Sequence, residues 1–153
     1  MPLVDALLPE FDHEMAKTRT VLERVPEEKF DWKPHVRSFS LGALATHVAT
    51  LPVWATDTLT RGDIDLDPNQ PPPSTLASRA DLLATFDRNV GDARAALAGK
   101  TDAELGAMWS LKRGGRTLFT MPKTAVLRSF VLNHLVHHRG QLTVYLRLVA
   151  LLS

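Results

Sequence analysis

The sequence contains no cysteine, so within its 153 residues a disulfide framework, a thiolate zinc site and a cysteine nucleophile are all excluded. Any thiol chemistry must take its sulfur from another molecule. Charge of one sign is not in excess either: 18 Lys and Arg stand against 17 Asp and Glu, giving a formal net charge of +1. So even a balance provides no long-range field to gather nucleic-acid phosphates or anionic lipid, and no nucleic-acid partner is expected. Long apolar runs are missing as well. The opening MPLVDALLPEFDHE reaches Asp5 and Glu10 before such a run can build. Neither a signal peptide nor a membrane span is therefore expected, and the default location is cytoplasmic. No internal repeat or low-complexity tract is present, and PNQPPPSTL reads as a stiff loop.

What is present is enough for one core. The length suits a single domain over residues 1–153 that needs no structural crosslink. Val4, Leu7, Leu8, Phe11, Met15, Leu22 and Val25 recur at helical spacing and predict an amphipathic first helix ending before Pro26. Residues 26–39 hold two prolines and read as an irregular connection, anchored by Trp32 and Phe39. Ser40 is the expected N-cap of a second helix reaching about Arg61, with a kink or break at Pro52. A third helix is expected from about Ser74 to Gly99, with Leu82, Leu83, Phe86, Val90, Ala93 and Leu97 on one stripe. Between Thr101 and Pro122 the pattern weakens to a short helical turn at TDAEL, then a hairpin or extended loop around Gly114-Gly115. The longest helix should run from Pro122 to Leu152. Four main helices joined by long loops predict an all-α four-helix bundle.

The last helix contains NHLVHHRGQLTVYLRL, residues 133–148, with three histidines in five positions. At about 100° per residue its inner stripe is centred on Leu127, Phe130, His134, His138, Gln141, Tyr145 and Leu148. His134 and His138, at i and i+4, project one turn apart on that face, a spacing that lets two imidazoles chelate one ion. The residues between them include no glutamate, so this is not the HExxH arrangement of zinc proteases. A pair needs a third ligand. His47, in LGALATHVATL, shares a face with Leu44 and Leu51 and so points inward from the second helix. His13 falls on the solvent side of the first helix and His35 in the proline-rich connection, whereas His137 remains an alternative to His138 or a neighbour of the site. Three inward histidines as plain core residues would each need a polar partner in a dry interior, and one cation satisfies all three.

SFSLGALATHVA followed far downstream by LNHLVHHRGQLTVYLRL, with Trp32-Lys-Pro ahead of the second helix, resembles the DinB/YfiT-like family of metal-binding four-helix bundles across nearly the whole chain. The resemblance implies metal ligands at His47, His134 and His138, and it implies a homodimer. It also implies chemistry of the kind some relatives perform: S-transfer or isomerisation dependent on low-molecular-weight thiols, or hydrolysis.

Three neutral imidazoles suit zinc, nickel or ferrous iron and leave coordination positions for water or substrate. The ion would then either activate water for hydrolysis or present an external thiol as nucleophile. The missing cysteine and the resemblance both favour the thiol, so the leading expectation is a metal-dependent, thiol-dependent S-transferase or a related hydrolase acting on a small-molecule substrate. Its rival is a non-catalytic metal-binding or dimerising stress-response bundle. No acid or base stands out: Tyr145 and Gln141 read as packing or orienting residues, Arg139 and Arg147 as solvated, and Trp32, Trp54 and Trp109 as core.

Overall fold

A computed structural model of the protein describes residues 1–152. Helix α1 (Val4–Leu22) buries Leu7, Phe11, Met15, Thr18 and Leu22 along one stripe, the expected spacing with Thr18 filling its gap. The chain then turns through a short 3₁₀ segment, Glu27–Lys29. Helix α2 (Leu41–Thr50) begins where Ser40 Oγ accepts a hydrogen bond from the Ala43 backbone N–H at 3.1 Å. Pro52 separates α2 from α3 (Val53–Thr60), so the predicted irregularity is a full break between two helices.

Helix α4 (Arg79–Leu97) starts later than the expected Ser74. Ser78 is its cap, accepting from the Asp81 N–H at 3.0 Å, while the Leu76 N–H is held at 3.0 Å by Thr46 Oγ1 of α2 instead of entering a helix. Helix α5 (Asp102–Gly106) is the turn expected at TDAEL, closed by a capping box between Thr101 and Glu104. The C-terminal helix has three parts: α6 (Lys123–Ala125), a π-helical stretch (Val126–Leu132) and α7 (Asn133–Ala150). α4 packs on α1, α2 and α3, α7 packs on α1 and α2, and the π stretch meets α3. Leu22, Leu44, Leu82, Phe86, Leu135 and Leu142 are buried in the core so formed.

The expectation of an all-α four-helix bundle is overturned by a three-stranded mixed sheet, strand content being 11% beside 61% helix. β1 (Asp63–Leu66) runs parallel to β2 (Met108–Arg113), with Asp63 opposite Ser110, and β2 runs antiparallel to β3 (Arg116–Pro122), with Arg113 opposite Arg116. Two local causes account for it. Gly114 and Gly115 adopt φ of 58° and 78°, the paired positive values that a two-residue hairpin turn requires. Asp-Ile-Asp-Leu alternates polar and apolar side chains, so β1 turns Ile64 and Leu66 toward Trp109, Leu111 and Val126 while its aspartates face water. That second core joins the helical one through Trp54, which packs in both. Among the described residues no helix is long and apolar enough to cross a membrane.

Candidate metal centre

α2 and α7 are neighbours in the bundle, and their contact brings His47 to the pair His134 and His138. One potential ligand atom from each lies within 4.8 Å of the other two. Ring centroids are 5.3 Å apart for His47 and His134, 4.5 Å for His47 and His138, and 4.7 Å for His134 and His138. Zinc–nitrogen bonds of about 2.0–2.1 Å in a tetrahedral site place nitrogens about 3.3 Å apart, so small side-chain adjustments suffice for the three imidazoles to share an ion. The donor set therefore fits a divalent metal. Among the described residues no aspartate, glutamate or fourth histidine joins the group. His137 is exposed and rests its ring against His138 at 4.9 Å without entering it, and His13 and His35 are exposed elsewhere.

Hydrogen bonds orient two of the rings. His134 Nδ1 lies 3.1 Å from the Phe130 carbonyl oxygen, which can only accept, so the ring proton sits on Nδ1. His138 Nδ1 donates in the same way to Gln141 Oε1 at 2.8 Å. Both arrangements leave an Nε2 lone pair for coordination, the usual way a protein sets the tautomer of a ligating histidine. Burial pushes His47 down to a pKa of about 4, with the proximity of His138 and His134 adding to the effect. His134 is lowered as well, by burial first and by His138 next, against an opposing bond to the Phe130 carbonyl. Both stay neutral at pH 7, the protonation state a metal requires.

The wall over His47 comes from the connection before α2. The Leu41 and Gly42 N–H groups donate to the carbonyls of Trp32 (2.8 Å) and Phe30 (2.9 Å). A Cβ on Gly42 would stand 2.9 Å from Phe30 Cγ, so the start of α2 needs glycine to pass this close. Tyr145 Oη donates to the Phe39 carbonyl at 3.1 Å, and the Tyr145 ring meets Trp32 edge-on at 5.6 Å. So held, Phe39 lies nearly parallel to His47 with centroids 6.5 Å apart. Tyr145 is thus an orienting residue, and Gln141 bonds a candidate ligand directly.

Two expectations about α7 need correction. Its buried positions are Leu135, Leu142 and Val149, each one residue past His134, Gln141 and Leu148, so the core face is turned by about 100° from the expected stripe. The π stretch is the cause: bonds from i to i+5 turn the chain less per residue, and the phase set by Leu127 and Phe130 is lost before His134. The histidines therefore stand half-buried at the edge of the core. Nor is Arg139 solvated. Its Nη1 lies 2.7 Å from Glu14 Oε2 and donates to the Glu14 carbonyl (3.1 Å) and Thr18 Oγ1 (3.3 Å), with the two charged side chains only 14% and 20% exposed. This ties α7 to α1 beside His138, a long-range pairing that nothing in the local sequence announces.

The DinB family model matches residues 2–149. Two crystal structures of DinB-like proteins share the fold. One, from Bacillus cereus, is 22% identical with a TM-score of 0.74, and the match covers 95% of this chain and 92% of that one. The other, from Bacillus subtilis, is 20% identical with a TM-score of 0.69 at the same coverages of 95% and 92%. No curated protein matches the sequence.

Proposed function

The chain belongs to the DinB family, and on that premise we propose that it is a metal-dependent enzyme using His47, His134 and His138 as ligands, a thiol-dependent S-transferase or a related hydrolase. The observation that carries the reading is the convergence of three imidazoles with no fourth histidine or carboxylate among the described residues to complete the set. A structural zinc site has four protein ligands, whereas three are the mark of a site that exchanges its fourth. Zinc, nickel or ferrous iron suits this donor set, and such an ion, when bound, supplies Lewis acidity that lowers the pKa of a thiol or water joining it.

The chain's own residues supply the rest. Burial keeps His47 and His134 unprotonated, so neither needs to release a proton near neutral pH before it can act as a donor. Phe130 and Gln141 aim the Nε2 atoms of His134 and His138, and the Phe39 ring shields one side of His47 from water. Neutral donors offset none of the ion's charge, which favours ionisation of a thiol at the site. With no cysteine in the chain, that thiol is a separate low-molecular-weight cosubstrate, and the second substrate is a small electrophile.

The test is metal analysis of tag-free protein followed by profiling with low-molecular-weight thiols and electrophiles, with ester and amide substrates as the hydrolase arm. Stoichiometric metal, an altered cobalt spectrum on adding thiol, and turnover on either arm are the expected results. A protein that takes up no metal under any reconstitution, or whose bound cobalt ignores every thiol and turns over no ester or amide, overturns the proposal.

A further inference from the structure

The acidic residues are distributed in a way the metal centre alone does not explain. All 17 lie in residues 5–31 and 57–104, while the two stretches that carry the three histidines of the group, 32–56 and 105–153, contain none. Carboxylates reach these stretches only from other elements, as where Glu10 pairs with Arg128 at 3.1 Å and Glu14 with Arg139. Arg37, in the connection over the site, has no such partner among the described residues.

Arg37 lines an open pocket of about 380 Å³ together with Ser38, Phe39, Gln141 and Tyr145. The volume is in the range of small-molecule sites. Two of its walls are also walls of the histidine group: Phe39 is stacked on His47, and Gln141 is bonded to His138. None of the three histidines itself lines this pocket or the larger groove between α1 and α7, but of the two only the pocket at Arg37 shares Phe39 and Gln141, the residues that meet the group. The turn bearing Arg37 is anchored, its backbone N–H donating to His35 Nδ1 at 3.1 Å, the Ser38 N–H to the His35 carbonyl at 2.9 Å, and Tyr145 to the Phe39 carbonyl.

We propose that Arg37 is the specificity-determining residue of this pocket and that the small molecule handled at the histidine centre carries a carboxylate, bound by Arg37 while its reacting atom faces the histidines. A guanidinium presents the paired N–H donors that a carboxylate accepts. A single cation with no carboxylate among the lining residues matches one negative charge, whereas a phosphate dianion calls for further cations or free N–H groups, and the first N–H groups of α2 beside the pocket are already bonded to Trp32, Phe30 and Ser40. The inference rests on the metal-enzyme reading for what happens to the molecule, but the binding site itself can be tested without metal.

In the metal-free protein, propionate titration followed by amide shifts should saturate with perturbations at Gln141 and Tyr145, and propionamide should leave these amides unmoved. Because Arg37 is exposed, Arg37→Gln should weaken propionate binding about three- to fivefold, and Arg37→Lys, which keeps the charge but not the paired donors, should fall between the wild type and Arg37→Gln. In the cobalt-loaded protein, 3-mercaptopropionate should bind about three- to fivefold tighter than 2-mercaptoethanol, and Arg37→Gln should abolish that preference. Propionate shifts that are absent, or that Arg37→Gln leaves unchanged, overturn the anion site. Equal binding of the two thiols by the wild type also overturns it while leaving the metal reading intact. Failure to bind cobalt with the propionate result as expected supports the anion site and overturns the metal reading.

Discussion

Gln141 holds His138 by a 2.8 Å hydrogen bond from the ring Nδ1–H to its side-chain oxygen, across a single turn of α7. Gln141 is itself exposed, so its packing adds little to stability. Its consequence is orientation: without it the His138 ring is free to rotate and to exchange tautomers. Gln141→Leu should therefore lower metal affinity about 10- to 100-fold while leaving Tm of the metal-free protein within a degree or two. Zinc competition titration beside thermal melts measures both, and unchanged affinity would mean that Gln141 does not orient a ligand.

His47→Ala and His134→Ala should each remove stoichiometric metal and abolish metal-induced stabilisation. That stabilisation is about 2.7 kcal/mol in the wild type when free metal is 100 times its dissociation constant. The matched control is His137→Ala, which alters a ring that touches His138 but stands outside the group, and which should keep the metal. Metal content and the Tm difference with and without zinc decide the matter. Equal loss in all three variants would contradict the assignment of ligands.

The pH dependence of the metal-free protein follows from the His47 pKa of about 4, set by burial and by its two histidine neighbours, against about 6.5 in an unfolded chain. Between these values the unfolded state binds the proton and the folded state does not. Stability contributed by neutral His47 is thus fully present above pH 6.5 and is progressively lost as the pH falls toward 4. His134 is lowered too and acts in the same direction. Melts between pH 7 and 4 should show Tm falling with pH, and His47→Ala should flatten the slope. A slope identical in wild type and variant would show that His47 is not the group responsible.

The candidate site was legible because its parts are local. An i, i+4 pair on one helix and one histidine on the apolar stripe of another need only helical periodicity to be aligned, and α2 and α7 supply it. The sheet was harder to read, because β1 is a strand of four residues and the alternation Asp-Ile-Asp-Leu is too brief to compete with the loop signals around it. Its partner β2 lies more than forty residues away and runs parallel, so no turn sequence marks the pairing. The phase of α7 escapes helical periodicity for a different reason: a π stretch depends on tertiary packing and has no composition that announces it. Arg139 and Glu14 meet across 125 positions, which periodicity within one helix cannot detect.

That pair gives a prediction of its own. Arg139→Met leaves the Glu14 carboxylate without its partner in a mostly buried position, at an expected loss of about 3 kcal/mol. Adding Glu14→Leu removes the orphaned charge and should recover much of the loss. Urea unfolding of the two single variants and the double variant forms the cycle, and additive effects would show that the pair is not coupled.

The hairpin offers the complementary case, a change that should touch stability without touching the metal centre. Gly115 has φ of 78° and open space where a side chain would go, so alanine there meets no clash but must adopt a left-handed backbone. Gly115→Ala should destabilise the protein by about 1–2 kcal/mol. The same backbone N–H lies 3.1 Å from both oxygens of Asp65, so straining the turn also loosens the tie between the hairpin and the end of β1. None of these residues contacts a histidine of the group, so zinc affinity of the folded variant should match wild type. If zinc affinity falls in step with stability, then the sheet does more than cover the bundle and the position of α7 depends on it through the Phe119 contact with Phe130, the residue whose carbonyl holds His134.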